Sequence, residues 1–251
     1  MAEFQNTIDL LGDEVVARKI VDRTIEEFTD DGLKKIAESA FYKCTMLTRI
    51  ELPNATEFGS SAFGGCSKLK NVSAPLITSI GSTAFGDSGV EEIDFPLLRN
   101  AGSQTYRYCK SLKRVNLPLV SAVGYSEFQG CRALTSVNVP LARTIGNYAF
   151  VGCGALTSID LPAASQIQGD NFGGAFRLCQ KLAVVILRNK TVCSLSGIEA
   201  FSYTPFYTDG TGGTVYVPQA LIEQYQNATN WSTLYAEGTC NFVAIEGSEY
   251  E

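Results

Sequence analysis

The sequence of 251 residues contains no histidine. Histidine is the usual general base near neutral pH and the commonest metal ligand, so its absence excludes Ser-His and Cys-His catalysis. The composition still allows catalysis by carboxylate pairs or lysine nucleophiles, and metal sites made of oxygen ligands. No motif in the sequence, however, indicates a pocket for any of these. We therefore predict a protein that is not an enzyme and has neither a cofactor nor a bound metal.

Basic charge and long apolar segments are also scarce. The 20 Lys and Arg residues against 26 Asp and Glu residues give a net charge of −6, which disfavours nucleic acid and anionic membranes as partners. No segment approaches the ~20 apolar residues that cross a bilayer, so no membrane insertion is expected. The N-terminal residues 1–5 lack a basic segment followed by an apolar run, so no secretory signal peptide is predicted in this chain.

Cysteine, in contrast, is plentiful and regularly spaced. Ser88 stands where the interval predicts a cysteine, in a copy that is one residue short. Cys179 follows the preceding cysteine after 26 residues, because residues 170–174 contain an insertion of four. An internal repeat with a period near 22 residues is therefore predicted. The regular intervals of 22, 43, 22 and 22 residues separate Cys44, Cys66, Cys109, Cys131 and Cys153.

Around each cysteine the same frame recurs, I-G-x-x-A-F-x-x-C-x-x-L-x-x-I-x-L-P. In the segment from Leu47 to Leu52 inward apolar positions alternate with outward polar ones, as in a half-buried strand, and Pro53 ends the strand because proline cannot donate to a sheet ladder. The aromatic residue of the frame points inward from the return side of the coil. The copies span residues 36–57, 58–79, 80–100, 101–122, 123–144, 145–166 and 167–188, with a partial eighth over 195–218.

These features predict an α/β solenoid of seven or eight coils, each contributing one short parallel strand. Neighbouring coils bury each other's apolar sides, and strands ~4.8 Å apart give a rod of ~40 Å. We divide the chain into an N-terminal cap (1–35), the solenoid (36–218) and a C-terminal cap (219–251). Ring stacking along the interior is predicted for Phe41, Phe63, Phe85, Tyr106, Phe128, Phe150, Phe176 and Phe201.

The caps should shield the terminal coils and their open sheet edges. In the N-terminal cap we predict a helix over 13–21 and a strand over 24–28. In the C-terminal cap we predict a helix over 218–225, a closing strand over 241–245, and a cover for the last coil formed by Trp231 and Tyr235.

The frame resembles the BspA-type leucine-rich repeat of bacterial surface antigens, over residues 36–218. The departures are Ser88, Glu127 in place of alanine, and the insertion in the seventh copy. The resemblance implies a leucine-rich-repeat fold and adhesion to host proteins or neighbouring cells. The leader over residues 7–17 also resembles prophage-encoded repeat proteins of gut Firmicutes, which implies the alternative of a virion component assembled through its N-terminal segment. The expected location is accordingly a cell surface or a virion.

The cysteine column favours buried structural thiols, because free cysteine packs as a small apolar residue and no C-x-x-C motif is present. Disulfides between adjacent coils and a metal site are the alternatives. Cys193 and Cys240 lie outside the column, so they are the residues expected to pair or to be exposed. The run from Tyr106 to Lys110 mixes aromatic and basic residues, but Tyr106 and Cys109 are internal by register, so we attribute this mixture to the repeat geometry.

The outward strand positions form two columns that we predict as the binding surface. Glu91 between Lys70 and Lys113, and Glu92 beside Arg114, are predicted to form cross-strand pairs. The alternatives are a solvated face without a ligand, and calcium binding, which a flat column of oxygens does not favour. The expected partner is a protein or glycan on a cell surface, or other virion proteins, and self-association is open. The candidate residues are Arg49, Glu51, Asn71, Glu92, Asp94, Arg114, Asn116, Asn138 and Asp160.

Overall fold

The computed structural model describes residues 19–207 and 212–251, and it confirms the solenoid. Its first row of parallel strands carries the outward columns, and the outward side of this row is here called the sheet face. The row comprises β1 (Glu27–Thr29), β3 (Arg49–Glu51), β5 (Asn71–Ser73), β7 (Glu92–Asp94), β9 (Arg114–Asn116), β11 (Ser136–Asn138), β13 (Ser158–Asp160), β17 (Val184–Ile186), β19 (Gly213–Val217) and β20 (Cys240–Ala244).

The predicted strand is present in each coil, but the count of one strand per coil is incomplete. The N-terminal cap and each coil from the first to the seventh form a second, two-residue strand after the turn that follows the first. In most of these strands the first residue is at least partly exposed and the second is a buried apolar residue, such as Ile36. The second row therefore closes another side of the core. It comprises β2 (Lys35–Ile36), β4 (Glu57–Phe58), β6 (Ser79–Ile80), β8 (Asn100–Ala101), β10 (Ala122–Val123), β12 (Thr144–Ile145), β14 (Gln166–Ile167) and β18 (Ser194–Leu195).

The third side of each coil is formed by turns and is here called the turn side. The insertion of the seventh coil projects from it as a small antiparallel hairpin of β15 (Gly169–Asp170) and β16 (Gly173–Gly174). The frame glycine at the start of this side packs against the preceding coil. An added Cβ on Gly59 would lie 2.5 Å from the main-chain nitrogen of Glu38, so close approach of the coils requires glycine here.

The predicted aromatic column is confirmed. Consecutive rings from Phe41 to Phe201 stack with centroids 5.2 to 5.7 Å apart and interplanar angles of 19° or less. All eight rings are buried. Stacked contacts of this kind contribute about 0.5–1.5 kcal/mol per pair beyond the burial of area, so they tie each coil to the next.

The cysteine column is buried beside the aromatic column, and no disulfide forms among the described residues. From Cys66 onward each thiol of the column donates a hydrogen bond to the carbonyl of the aromatic residue in the preceding coil, at 3.0 to 3.2 Å. The expectation that Cys193 and Cys240 pair or are exposed is wrong. Both are buried and free, because the C-terminal cap covers them.

At the N-terminal end, β1 leads the sheet as predicted and pairs in register with β3, with Phe28 opposite Ile50. It begins three residues later than expected. Residues 19–21 are helical, whereas most of the helix predicted over 13–21 and the whole leader over 7–17 lie outside the described residues.

The C-terminal cap consists of two short helices and the closing strand. Its predicted helix begins as a 3₁₀ turn, Gln219–Leu221, and continues as α1 (Ile222–Asn227), followed by α2 (Trp231–Ala236). Another 3₁₀ turn, Ile198–Phe201, precedes them. Trp231 is buried on the last ring of the aromatic column, and its indole nitrogen donates to the Cys193 carbonyl at 2.7 Å. Tyr235 lies at the edge of this cover and remains 41% exposed. The closing strand β20 pairs with β19.

Candidate functional site

The structure places all nine predicted site residues on the sheet face, in two parallel columns. Register explains this placement, because the strands within each of the three sheets of this row pair position by position, as Glu92 does with Arg114 and Asp94 with Asn116. The columns hold solvent-accessible side chains throughout. Arg49, Asn71, Glu92, Asp94, Arg114 and Asn138 are exposed, and Glu51, Asn116 and Asp160 are half-buried.

The half of the sheet face nearer the N-terminus is a network of ion pairs. Arg114 contacts Glu92 across β7 and β9, as predicted, whereas Arg49 pairs with Glu51 within its own strand. The hydrogen bond from Arg49 to Glu51, together with that negative charge, raises the pKa of the guanidinium above its ordinary value. These pairs leave the charges in contact with water, with 37–65% of each side chain exposed.

Beside the columns, Glu91 forms the predicted bridge between two lysines. Its carboxylate lies 2.8 Å from Nζ of Lys113 and 3.1 Å from Nζ of Lys70. The hydrogen bonds from Lys113 and Lys70 hold the pKa of Glu91 below its ordinary value. Three successive coils are thus linked by charge on their solvent side.

A shallow depression of about 580 Å³ crosses β3, β5 and β7. At its centre lie Asn71 and Ser73, whose side chains form no hydrogen bond with another residue in the described ranges 19–207 and 212–251. The ion pair of Arg49 borders the depression on one side, and Glu92 and Asp94 border it on the other. The depression therefore offers neutral polar groups between charged walls.

The other half of the sheet face is a ladder of amides. Nδ2 of Asn116 donates to Oδ1 of Asp94 at 2.7 Å, and Nδ2 of Asn138 donates to Oδ1 of Asn116 at 2.6 Å. The ladder fixes the orientation of three side chains along the solenoid. The ladder also uses one side-chain oxygen of Asp94 and that of Asn116 as acceptors for amide donors. The described residues contain no group of three or more Asp, Glu or Cys placed to hold a metal ion.

One member of the face was missed by the sequence interpretation. Arg188 folds back on Asp160, with its Nη2 3.0 Å from Oδ2 and its Nε 3.0 and 3.2 Å from the two carboxylate oxygens. Arg188 occupies the position at which the frame has proline. The absence of proline at this position is the sequence signal from which the contact of Arg188 with Asp160 could have been predicted.

The turn side carries aromatic residues that the frame does not require. Tyr125 is 52% exposed and contacts Tyr148 edge to face, with centroids 5.6 Å apart. Tyr106 and Cys109 are buried, as their register predicted, but Arg107 and Tyr108 between them are partly exposed on this side. The side chains of Arg107 and Tyr108 are therefore accessible on the turn side.

Comparison with known proteins is consistent with this geometry. A family model described as a BspA type leucine rich repeat region matches six copies, over residues 34–142 and 99–209. No curated protein matches the chain. Within the described ranges, no helix combines the length and the apolar character that a membrane crossing requires.

Two solved structures of bacterial leucine-rich repeat proteins are similar to this chain. The structure from Bacteroides ovatus shares 23% identity at a TM-score of 0.51, with 88% of this chain and 66% of that chain covered. The structure from Eubacterium ventriosum shares 21% identity at a TM-score of 0.51, with 72% and 59% covered. This chain thus spans less than two thirds of either length, and the likeness concerns the fold. Because the family model matches most of the length of this chain, the chain belongs to the BspA-type leucine-rich repeat family.

Proposed function

We propose that this chain is a non-enzymatic binding protein that docks a protein partner on its sheet face, at the surface of a cell. The observation that carries the proposal is the depression across β3, β5 and β7, where neutral polar side chains lie between exposed, oppositely charged ones. Membership of the BspA-type family, whose repeats occur in bacterial surface antigens, supports the proposed location at a cell surface.

The charges of the sheet face exceed what the fold needs. Exposed ion pairs contribute only about 0–1 kcal/mol each, and the fold is held by its buried columns. Charges of both signs in a fixed pattern instead favour a partner with the complementary pattern, and they increase its rate of association. A complementary pattern of positive and negative charges is typical of a protein surface. We therefore favour a protein over a glycan as the partner of the sheet face.

The face is also ordered before a partner arrives. The amide ladder and the bridge through Glu91 link neighbouring coils, so these side chains lose less conformational freedom on binding. The same contacts argue against catalysis. Glu92 is engaged by Arg114, and Asp94 accepts from Asn116, so neither carboxylate is positioned as an acid or base on an open surface.

The test is binding of the labelled, purified chain to a panel of bacterial cells, host matrix proteins and immobilised glycans. The variant carries Arg49, Glu92, Asp94 and Arg114 replaced by alanine. The matched control replaces Lys35 and Glu57, an exposed ion pair of the second strand row, with alanine.

Saturable binding to a protein target that the sheet-face variant loses and the control keeps supports the proposal. Binding to glycans alone, or equal loss in both variants, contradicts a protein site on this face. Absence of binding to every target overturns the adhesion proposal and favours a structural role in a larger assembly.

A further inference from the structure

The turn side holds a continuous groove that the sheet-face proposal does not use. A cleft of about 150 Å³ is lined by side chains from three successive coils, Gln104 and Arg107, Tyr125 and Gln129, and Tyr148. A second depression of about 380 Å³ shares Gln104 and Arg107 with this cleft and extends along the solenoid to Tyr42. With strands ~4.8 Å apart, the groove from the first coil to the sixth is ~24 Å long.

The fold does not require the aromatic residues of the cleft. The positions of Tyr125 and Tyr148 are occupied in the second coil by Ser60 and Ser61, so the fold accepts small residues. Tyr148 has a left-handed backbone with φ of 62°. A bulky residue there is unfavourable, and the same position of the preceding coils is held by the smaller Ser39, Ser61, Thr83, Gln104 and Ser126.

Two rings of the groove, those of Tyr108 and Tyr148, are nevertheless held in fixed positions. An added Cβ on Gly130 would overlap the ring of Tyr108, and one on Gly173 would lie 3.0 Å from Cε1 of Tyr148. Both rings therefore lie directly on the main chain of the next coil. Side chains immobilised in this way lose little conformational entropy when a ligand stacks on them.

The polar groups of the cleft are also arranged in advance. Nη1 of Arg107 donates to Oε1 of Gln104 at 2.8 Å, and Nη2 donates to the hydroxyl of Tyr108 at 3.1 Å. The guanidinium carbon lies 4.6 Å from the centroid of the Tyr108 ring. These contacts orient the Gln104 amide, whose nitrogen donors have no partner in the described part of the chain, and Gln129 adds a second amide to the lining of the cleft.

The insertion of the seventh coil borders the same region. Oδ2 of Asp170 in the hairpin accepts from Nδ2 of Asn147 at 3.0 Å, next to Tyr148. At the hairpin tip Phe172 is 84% exposed, more than any other large apolar side chain described. In repeat proteins, insertions within a repeat often mark the binding face.

From this arrangement we infer that the turn-side groove binds a glycan chain, with one pyranose ring packed against the exposed ring of Tyr125 where Tyr148 contacts it edge to face. The C–H face of a sugar ring packs on an aromatic face, and amide and guanidinium groups hydrogen-bond to its hydroxyls. The cleft is small enough for one ring, and the elongated groove suits a chain of such rings. A protein partner would instead need a broad surface, which the sheet face provides.

The test is a glycan array probed with the full chain, followed by calorimetry with the bound glycan. The test variant, Tyr125→Ser with Tyr148→Ser, introduces residues that the second coil already carries at these positions. The control, Tyr203→Ser, removes an equally exposed tyrosine of the turn side outside the groove. Circular dichroism and thermal unfolding check that each variant is folded.

We expect at least a tenfold loss of glycan affinity in the double variant and none in the control. The sheet-face variant should keep its glycan affinity, so that the two proposals succeed or fail separately. A folded chain that binds no glycan on the array overturns the inference, as does a double variant that binds as tightly as the natural chain.

Discussion

The hydroxyl of Ser88 lies 3.4 Å from the thiol of Cys109, at the one coil where serine stands in the cysteine column. The thiol of Cys109 itself donates to the carbonyl of Phe85 at 3.0 Å. The buried serine thus depends on a sulfur atom, which is a weak acceptor, for its hydrogen bond.

We expect Ser88→Cys to raise the free energy of unfolding by about 1 kcal/mol, because burying a thiol costs less than burying a poorly partnered hydroxyl. Urea unfolding followed by circular dichroism measures the change. Ser88→Ala is the control that removes the hydroxyl without adding sulfur. A destabilised cysteine variant would mean that the shortened coil has no room for the larger atom.

The eight thiols are expected to be unreactive in the folded protein. Burial raises the pKa of Cys44 to about 11 and that of Cys66, Cys193 and Cys240 to about 12, and only the thiolate reacts. With a disulfide-exchange dye at pH 8, the native chain should react negligibly within minutes. In denaturant, eight thiols per chain should react. Fast labelling of Cys193 or Cys240 without denaturant would contradict the covering role of the C-terminal cap.

The carboxyl of Glu127 is buried where the frame has alanine. Neither of its oxygens has a hydrogen-bond partner in the described part of the chain, and the neighbouring Thr105 hydroxyl donates to the Gly102 carbonyl instead. Burial raises the pKa of Glu127 from 4.5 to about 8. The folded protein therefore keeps a proton on Glu127 that the unfolded chain releases.

It follows that stability falls as pH rises. The contribution of protonated Glu127 to the free energy of unfolding is fully present below pH 4.5. It decreases by about 1.4 kcal/mol per pH unit between pH 4.5 and 8, and it is constant above pH 8. Glu127→Ala should be more stable than the natural chain at pH 8 and should remove this dependence. Glu127→Gln should also remove it, while remaining less stable than the alanine variant because a polar group stays buried. The measurement is the free energy of unfolding at several pH values for the natural chain and both variants. If the slope of this free energy against pH is unchanged in Glu127→Ala, the pH dependence does not come from Glu127.

Tyr106 is the one tyrosine of the aromatic column, and its hydroxyl is buried without a partner among the described residues. Tyr106→Phe should stabilise the chain by about 1 kcal/mol, since it removes an unsatisfied polar atom and keeps the stacked ring. The control Phe128→Ala should cost about 3–5 kcal/mol, because it leaves a cavity between two stacked rings. Thermal unfolding of both variants provides the comparison. A loss of stability in Tyr106→Phe would show that the hydroxyl has a partner in solution.

The repeat frame was sufficient to predict the solenoid, because each inward position had to be apolar in every copy. Phe63 and Phe85 follow from spacing alone. The second strand row was missed because a two-residue strand such as Ser79–Ile80 has no alternation to detect. The need for glycine at Gly59 was not predicted either, because it depends on close contact with the neighbouring coil, which exists only once the coils stack.

For the candidate site, the columns followed from register, but their internal contacts did not. The pairing of Arg49 with Glu51 within one strand depends on side-chain rotamers. The contact of Arg188 with Asp160 depends on the main-chain conformation of a segment in which arginine replaces the frame proline. Tyr125 and Tyr148 belong to different copies and look unrelated along the sequence. Their proximity arises only when the fifth and sixth coils stack.

The in-register pairing of every coil with the next has a consequence for how such a chain can change over generations. Gain or loss of one complete coil would shift all later coils by a single strand spacing of ~4.8 Å, while each side chain kept its orientation. The distance between any two surfaces on the rod is therefore adjustable only in whole steps. Relatives with more coils could match wider spacings between two ligands without altering either surface.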